Sequence, residues 1–156
     1  LLAIHFVLGS SGTMVDTDGV SQTIVVNSGN FFMTGTITDD TNGPVIGTGT
    51  TAVDITDTKL VTKIAHGVGA GQMQYAAAAG DAAVTIADPN ATYLVSRNFN
   101  NNSGGTIVVA ETGLYCRGYT STPAARYFCI FRDVPASISV PDAGGCYVKY
   151  NLRITE

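Results

Sequence analysis

The sequence predicts an all-β protein, an antiparallel β-sandwich of jelly-roll-like type with one short helix. Apolar and polar residues alternate over many short segments, which indicates strands with one buried face. Turn-forming residues separate these segments, and 18 glycines are spread along the chain. Many short strands divided by turns favour a sandwich or a jelly roll. A length of 156 residues fits one domain.

The clearest strand covers residues 146–154. Five apolar side chains alternate along it and predict one buried face: Cys146, Val148, Tyr150, Leu152 and Ile154. Residues 126–132 are apolar on both faces, which predicts a strand in the centre of its sheet. Further strands are expected at residues 3–8, 23–27, 30–38, 71–76, 82–87, 92–99 and 106–115.

The predicted helix begins at Asp57 and ends at Gly67. An aspartate is a favourable N-cap, and a glycine commonly ends a helix. Leu60, Val61 and Ile64 form the apolar stripe that would pack on the sheet. In the domain organisation that we predict, residues 1–44 form an N-terminal arm or peripheral strands, and residues 45–156 form the sandwich domain.

Charge and hydropathy argue against two classes of partner. The net charge is −4, and the eight Lys and Arg residues form no basic patch. Nucleic-acid binding needs several cations against phosphates, so no nucleic acid is expected. The apolar runs are far shorter than the ~20 residues of a membrane-spanning helix, so no membrane is expected as a partner either.

The residues that commonly carry catalysis are few. His5 lies in an apolar strand pattern and His66 at the end of the predicted helix, so both are interpreted as structural. The motifs of serine hydrolases, zinc proteases and P-loop proteins are absent from the sequence. We therefore expect no enzyme, no catalytic residue, no cofactor and no small-molecule substrate.

Two acidic turns resemble fragments of calcium loops, at residues 16–19 and 39–43. Neither has the glutamate that completes such a loop, and Asp and Asn form turns without a metal. No metal site is expected.

Glu111 is the carboxylate that most needs an explanation, because apolar residues surround it in a strand pattern. A buried carboxylate requires a partner, and Arg97, Arg126 and Arg132 are candidates for a structural ion pair. Tyr115 and Tyr119 flank Arg117 and suggest a small binding patch.

The three cysteines are Cys116, Cys129 and Cys146. An odd number argues against a closed disulfide framework, and the spacing matches no zinc pattern. Buried free thiols are expected, with a bridge between Cys116 and Cys129 left open.

Three segments carry a resemblance to a known family. The first contains residues 46–52 and 57–60, the second residues 97–107 and 111–115, and the third residues 131–134 and 147–150. In this order they resemble a β-domain of tailed-bacteriophage virion proteins over residues 45–156, with Ala52-Val53 where that pattern often has Ala-Pro. The motif residues are Gly47, Gly49, Asp57, Arg97, Asn101, Gly104, Glu111, Gly113, Leu114, Arg132 and Asp133.

The resemblance implies a virion structural protein that is assembled in the host cytoplasm and has no catalytic residues. It implies a capsid decoration or cement protein, or a tail or fibre-attachment component. Its partners would be copies of itself, with a trimer as one arrangement, and a major capsid or tail protein. An extracellular filament or pilus-like subunit and a glycan- or receptor-binding module remain as alternatives.

Overall fold

The computed structural model describes residues 12–25, 31–81, 83–120 and 124–155. Within these ranges the chain forms strands and no helix. The strands are β1 Gly12–Val15, β2 Ser21–Ile24, β3 Gly43–Gly47, β4 Gln74–Tyr75, β5 Ala79–Gly80, β6 Thr85–Ala87, β7 Asn90–Asn100, β8 Ile107–Val109, β9 Glu111–Tyr119, β10 Ala125–Asp133, β11 Ile138–Val140 and β12 Gly145–Thr155. The strand predicted at residues 3–8, with His5, lies outside the described residues.

The last six strands form three antiparallel pairs that are nested in the sequence. β9 pairs with β10, β8 with β11, and β7 with β12. The outermost pair is the longest, running from Asn100 opposite Gly145 to Asn90 opposite Thr155. Nested antiparallel pairs are what results when one long hairpin folds over on itself, as in a jelly roll.

Two sheets enclose the main core. One has the strand order β10-β9-β3, and the other has β12 and β7 with β4, β5 and β6 along the second edge of β7. Both contribute to a single apolar cluster, with Val45 and Tyr115 from the first sheet and Tyr75 and Phe99 from the second. The predicted all-β, sandwich-like fold is confirmed.

The strand predictions differ in outcome. The alternation predicted at residues 146–154 is confirmed through residue 152, because Cys146, Val148, Tyr150 and Leu152 are partly buried between exposed neighbours. It is wrong at Ile154, which is 74% exposed. The prediction that residues 126–132 form a central strand is wrong. β10 is an edge strand, since β9 takes its second partner from β3, and Phe131 of β10 is 44% exposed.

Two further strand predictions are wrong. The segment predicted as one strand at residues 106–115 divides at Ala110 into β8 and β9, which belong to different sheets. Of the strand predicted at residues 30–38, the described residues 31–38 form turns and one isolated bridge at Phe32 instead of a strand. The domain boundary suggested between residues 44 and 45 falls inside β3, a strand that is buried throughout.

The predicted helix between Asp57 and Gly67 is also wrong. Its backbone N–H groups bond to other parts of the fold: that of Ile64 donates to Ile46 and that of Leu60 to the Tyr115 hydroxyl. The segment is short and contains β-branched residues, which are weak helix formers, so partners on the sheet prevail over helical bonds. It lies extended beside β3, with a bridge between Gly47 and Lys63.

Candidate functional site

Two of the motif residues, Glu111 and Arg132, form a buried ion pair. The Arg132 Nε atom donates to Glu111 Oε1 at 2.6 Å, and the two side chains are 1% and 0% exposed. Glu111 also accepts the backbone N–H groups of Val61 at 2.7 Å and Thr62 at 3.2 Å. The expectation of a structural partner for Glu111 is confirmed, and Arg132 is that partner rather than Arg97 or Arg126.

Arg132 extends this pair to the loop before residue 60. Its Nη1 atom donates to Asp57 Oδ2 at 2.7 Å and to Ala52 O at 3.3 Å, and its Nη2 atom donates to Thr51 O at 2.8 Å. Burial lowers the pKa of Arg132, but the hydrogen bonds to Glu111 and Asp57 outweigh this and raise the pKa overall. The guanidinium therefore stays charged and fixes residues 51–57 on the sheet.

Gly47 and Gly49 make room for this cluster. A Cβ atom on Gly47 would lie 2.7 Å from Glu111 Oε2, and one on Gly49 would lie 2.5 Å from the same atom. Neither glycine has a positive φ. Their role is to allow close approach to the carboxylate.

Arg97 forms a second buried cluster, and among the described residues no acidic side chain lies within ion-pair distance of it. It is 1% exposed, and four carbonyl oxygens accept its hydrogen bonds, those of Ala76, Asn42, Pro44 and Thr36. Its guanidinium lies 5.0 Å from the centre of the Tyr75 ring. Burial lowers the pKa of Arg97. The side chain ties the segment before β3 to β4 and β7.

Asn101 organises the loop after β7 in a similar way. Its Nδ2 atom donates to Gly105 O and Val140 O, both at 2.8 Å, and its Oδ1 atom accepts from the N–H of Ser103 at 3.1 Å. Gly104, with a φ of 79°, donates its N–H to Asp142. Residues 101–105 do not close a hairpin, because β7 and β8 belong to different sheets. They link two sheets and bind the turn before β12.

The remaining motif residues have separate positions. Leu114 is fully buried, and Asp133 is exposed at the end of β10. Gly113 has no positive φ and no bulge of its own; a Cβ there would lie 3.2 Å from a methyl group of Leu60. The irregularity is on β10, between Cys129 and Phe131.

The two acidic turns are closed by their own hydrogen bonds. Asp16 accepts from the N–H groups of Asp18 and Val20, and Asp39 accepts from that of Thr41. In the ranges that the structure describes, no three His, Cys, Asp or Glu side chains gather as a possible metal site.

His66 and the cysteines are packed within the fold. The His66 Nδ1 atom accepts the backbone N–H of Tyr75 at 3.1 Å, in place of the helix-end position predicted for it. Cys116, Cys129 and Cys146 are free, so no bridge joins the first two. Burial raises the pKa of the Cys116 thiol to about 12 and that of Cys146 to about 11.

The predicted aromatic patch exists only in part. Tyr115 is 3% exposed, and its hydroxyl accepts the N–H of Leu60 at 2.7 Å, so it is not available at the surface. The Arg117 guanidinium instead lies between the rings of Phe32 and Tyr119, 5.1 Å and 5.4 Å from their centres. Phe32 is 45% exposed.

A surface that the sequence does not reveal lies where the edges of the two sheets meet. This apolar groove has a volume of about 520 Å³. Its apolar lining is Phe31, Met33, Ile130, Phe131, Tyr150 and Leu152. Phe131 stacks on Tyr150 with ring centres 6.3 Å apart. Strand alternation predicted the buried face of β12, but nothing local in the sequence showed that both β10 and β12 would be edge strands.

The fold is an all-β sandwich in which buried polar clusters hold loops on the sheets. Comparison with known proteins gives no closer identification. No family model, no curated protein and no solved structure matches the chain. Among the described residues, there is no helix with the length and apolar character needed to cross a membrane.

Proposed function

We propose that this chain is a non-enzymatic structural protein of a tailed-phage virion that acts through contacts between subunits. The observation that carries the proposal is the use made of the motif residues. Glu111, Arg132, Arg97 and Asn101 are buried and hold loops in place. A protein that acts by its shape needs rigid loops, and these motif residues keep the loops rigid.

The outer surface supports the same function. Several large apolar side chains are exposed, among them Ile55, Ile86 and Ile154 at 101%, 80% and 74%. Only 13% of the residues are charged. An exposed apolar surface with few charges favours burial against neighbouring protein, and symmetry multiplies weak contacts of this kind. Capsid decoration and tail or fibre attachment are both compatible with it.

The proposal is tested by asking whether the chain co-purifies with phage particles. Lysate from an induced culture of the source organism is separated on a density gradient, and an antibody against the recombinant chain locates it. We expect the chain to band with DNA-filled particles and with their major capsid or tail protein. Recovery in the cell envelope or as filaments of this chain alone would instead support the filament alternative.

A receptor-binding module is the second candidate, favoured by the stack of Phe32, Arg117 and Tyr119. An exposed aromatic ring beside a cation suits contact with sugars or peptides. Binding to a glycan array that is lost on Phe32→Ala, with an unchanged melting temperature, would favour this candidate over a purely structural role.

A further inference from the structure

One loop presents an isoleucine that is fully exposed. The Ile55 loop, residues 51–57, carries Ile55 at 101% and Val53 at 51% exposure. Exposed apolar residues are common at protein surfaces when they are isolated and the chain around them is loose. This loop is built differently, because hydrogen bonds fix both its tip and its base.

The tip is closed by Asp54 and Asp57. Asp54 Oδ1 accepts from the N–H of Thr56 at 2.8 Å and from its hydroxyl at 2.6 Å. Asp57 Oδ2 accepts the N–H of Asp54 at 2.8 Å, and at the base Arg132 holds the carbonyl groups of Thr51 and Ala52. The loop therefore holds Ile55 outward in one conformation, and such pre-organisation reduces the entropic cost of binding.

The apolar groove offers an apolar lining that can take up such a side chain. Tyr150 and Leu152 belong to the partly buried face of β12, and Ile130 and Phe131 belong to the edge strand β10. The volume of about 520 Å³ falls within the range of sites that take up apolar groups.

The loop and the groove lie on opposite faces of the same sheet. Arg132 faces the Ile55 loop, whereas its neighbours Phe131 and Asp133 line the groove. Successive residues of a strand point to opposite faces, and this stretch of β10 pairs regularly with Thr112, Gly113 and Leu114. A loop on one face cannot enter the groove on the other face of its own subunit.

Charges support a second copy of this chain as the occupant. Asp54 beside Ile55 and Lys59 after the loop are exposed, and so are Arg153 and Asp133 at the groove. A copy that inserts its loop thus brings an acid and a base to a site that offers a base and an acid. Complementary charges of this kind set orientation more than affinity.

We propose that the Ile55 loop of one subunit inserts into the apolar groove of the next. This inference rests on the proposed structural function and names the contact that would perform it. The contact joins two different surfaces, so it is heterologous, and repetition generates a closed ring or an open fibre. Because one loop buries little area, single contacts are weak and depend on repetition.

The test uses two variants of the full chain, each lacking one half of the contact. Ile55→Asp removes the loop side chain, and Phe131→Asp places a charge in the groove. Ile86→Asp is the matched control, because Ile86 is 80% exposed on β6 and belongs neither to the Ile55 loop nor to the lining of the groove. Melting temperatures check that all variants are folded, and sedimentation velocity measures mass over a range of concentrations.

We expect the wild type and Ile86→Asp to exceed the 16.2 kDa of one chain as concentration rises, and both other variants to remain at that mass. A mixture of the two variants should form a heterodimer and stop there, because one intact loop and one intact groove remain. The inference is overturned if the mixture stays monomeric, if either variant assembles like the wild type, or if the wild type never associates. Binding of the chain to phage particles is measured separately, so the absence of the loop–groove contact would not contradict the proposed function.

Discussion

Glu111 and Arg132 show how much of the structure depends on single side chains. The carboxylate accepts three hydrogen bonds, from one guanidinium and two backbone N–H groups. Both charges are removed from water, so removing one of them leaves the other buried with much less compensation. Arg132 would keep its contact with the partly exposed Asp57. The pair therefore does not merely add stability, since it also decides where residues 51–62 lie.

The substitution Glu111→Gln should destabilise the protein severely. It preserves the size of the side chain but removes the buried negative charge, and Arg132 then keeps the partly exposed Asp57 as its acidic partner. We therefore expect the free energy of unfolding to fall by about 3 kcal/mol. Urea denaturation followed by tyrosine fluorescence measures this.

The matched control is Lys63→Met, which breaks the more exposed pair with Asp40, whose side chains are 30% and 22% exposed. A loss of at most about 1 kcal/mol is expected there. Equal losses for the two variants would contradict the assigned role of Glu111.

The substitution Gly49→Ala tests the space beside that carboxylate. The added methyl group would lie 2.5 Å from Glu111 Oε2, so the pair must shift, and we expect a loss of about 1–3 kcal/mol. Gly105→Ala is the control, since nothing lies within 4 Å of its Cβ position. Thermal unfolding of the two variants should differ clearly, and an unchanged Gly49→Ala would show that the cluster has room to adjust.

At the scale of elements, the segment between residues 57 and 67 is extended because side chains of the sheet take its backbone N–H groups. Tyr115 and Glu111, both on β9, accept those of Leu60, Val61 and Thr62. Its side chains still enter the core, with Leu60 and Ile64 each 3% exposed. The element is stabilised by tertiary contacts and has no regular structure of its own.

The substitution Tyr115→Phe should loosen this segment locally. It leaves the N–H of Leu60 buried without its acceptor, which costs about 1–3 kcal/mol. In hydrogen exchange, we expect the Leu60 amide to lose protection while the amides of β7 and β12 keep theirs. Tyr147→Phe, at a side chain that is 56% exposed, should change neither. Uniform loss of protection across the sandwich would argue against a local role.

The sequence predicted those features of the elements that depend on residues close together in the chain, and it missed those that depend on strand pairing. Alternation fixed the buried face of β12, and a carboxylate among apolar residues required a partner for Glu111. The choice of Arg132 among three arginines depends on the pairing of β9 with β10, which no local pattern contains. Asp57 looks like a helix cap because an aspartate in a tight loop makes the same kind of hydrogen bond.

For the whole molecule, several carboxylates link stability to pH. Burial acts to raise the pKa of Asp40, but the N–H of His66 and the Lys63 ammonium outweigh it, and the pKa is lowered from 3.8. The pKa of Asp16 is lowered in the same way by the N–H of Val20 and the side chain of Gln22. A carboxyl group with a lowered pKa contributes stability above its unfolded value, which is lost as pH falls through the folded value.

The free energy of unfolding should therefore change little just above about pH 4, and it should decrease as the pH falls below about 4. The midpoint of urea denaturation, followed across these pH values, measures this. Asp40→Asn should flatten the acid part of the curve, because it removes one of the carboxyl groups with a lowered pKa. A protein that gains stability in acid would contradict the lowered pKa values of Asp16 and Asp40.

The nested order of the strands has a consequence for synthesis in the cell. β7 leaves the ribosome early, but β12, which covers one of its edges, begins only at Gly145. Until then the nascent chain exposes an open strand edge, which favours aggregation with other chains. Chaperones that shield the β7 edge during this interval should therefore raise the yield of folded protein.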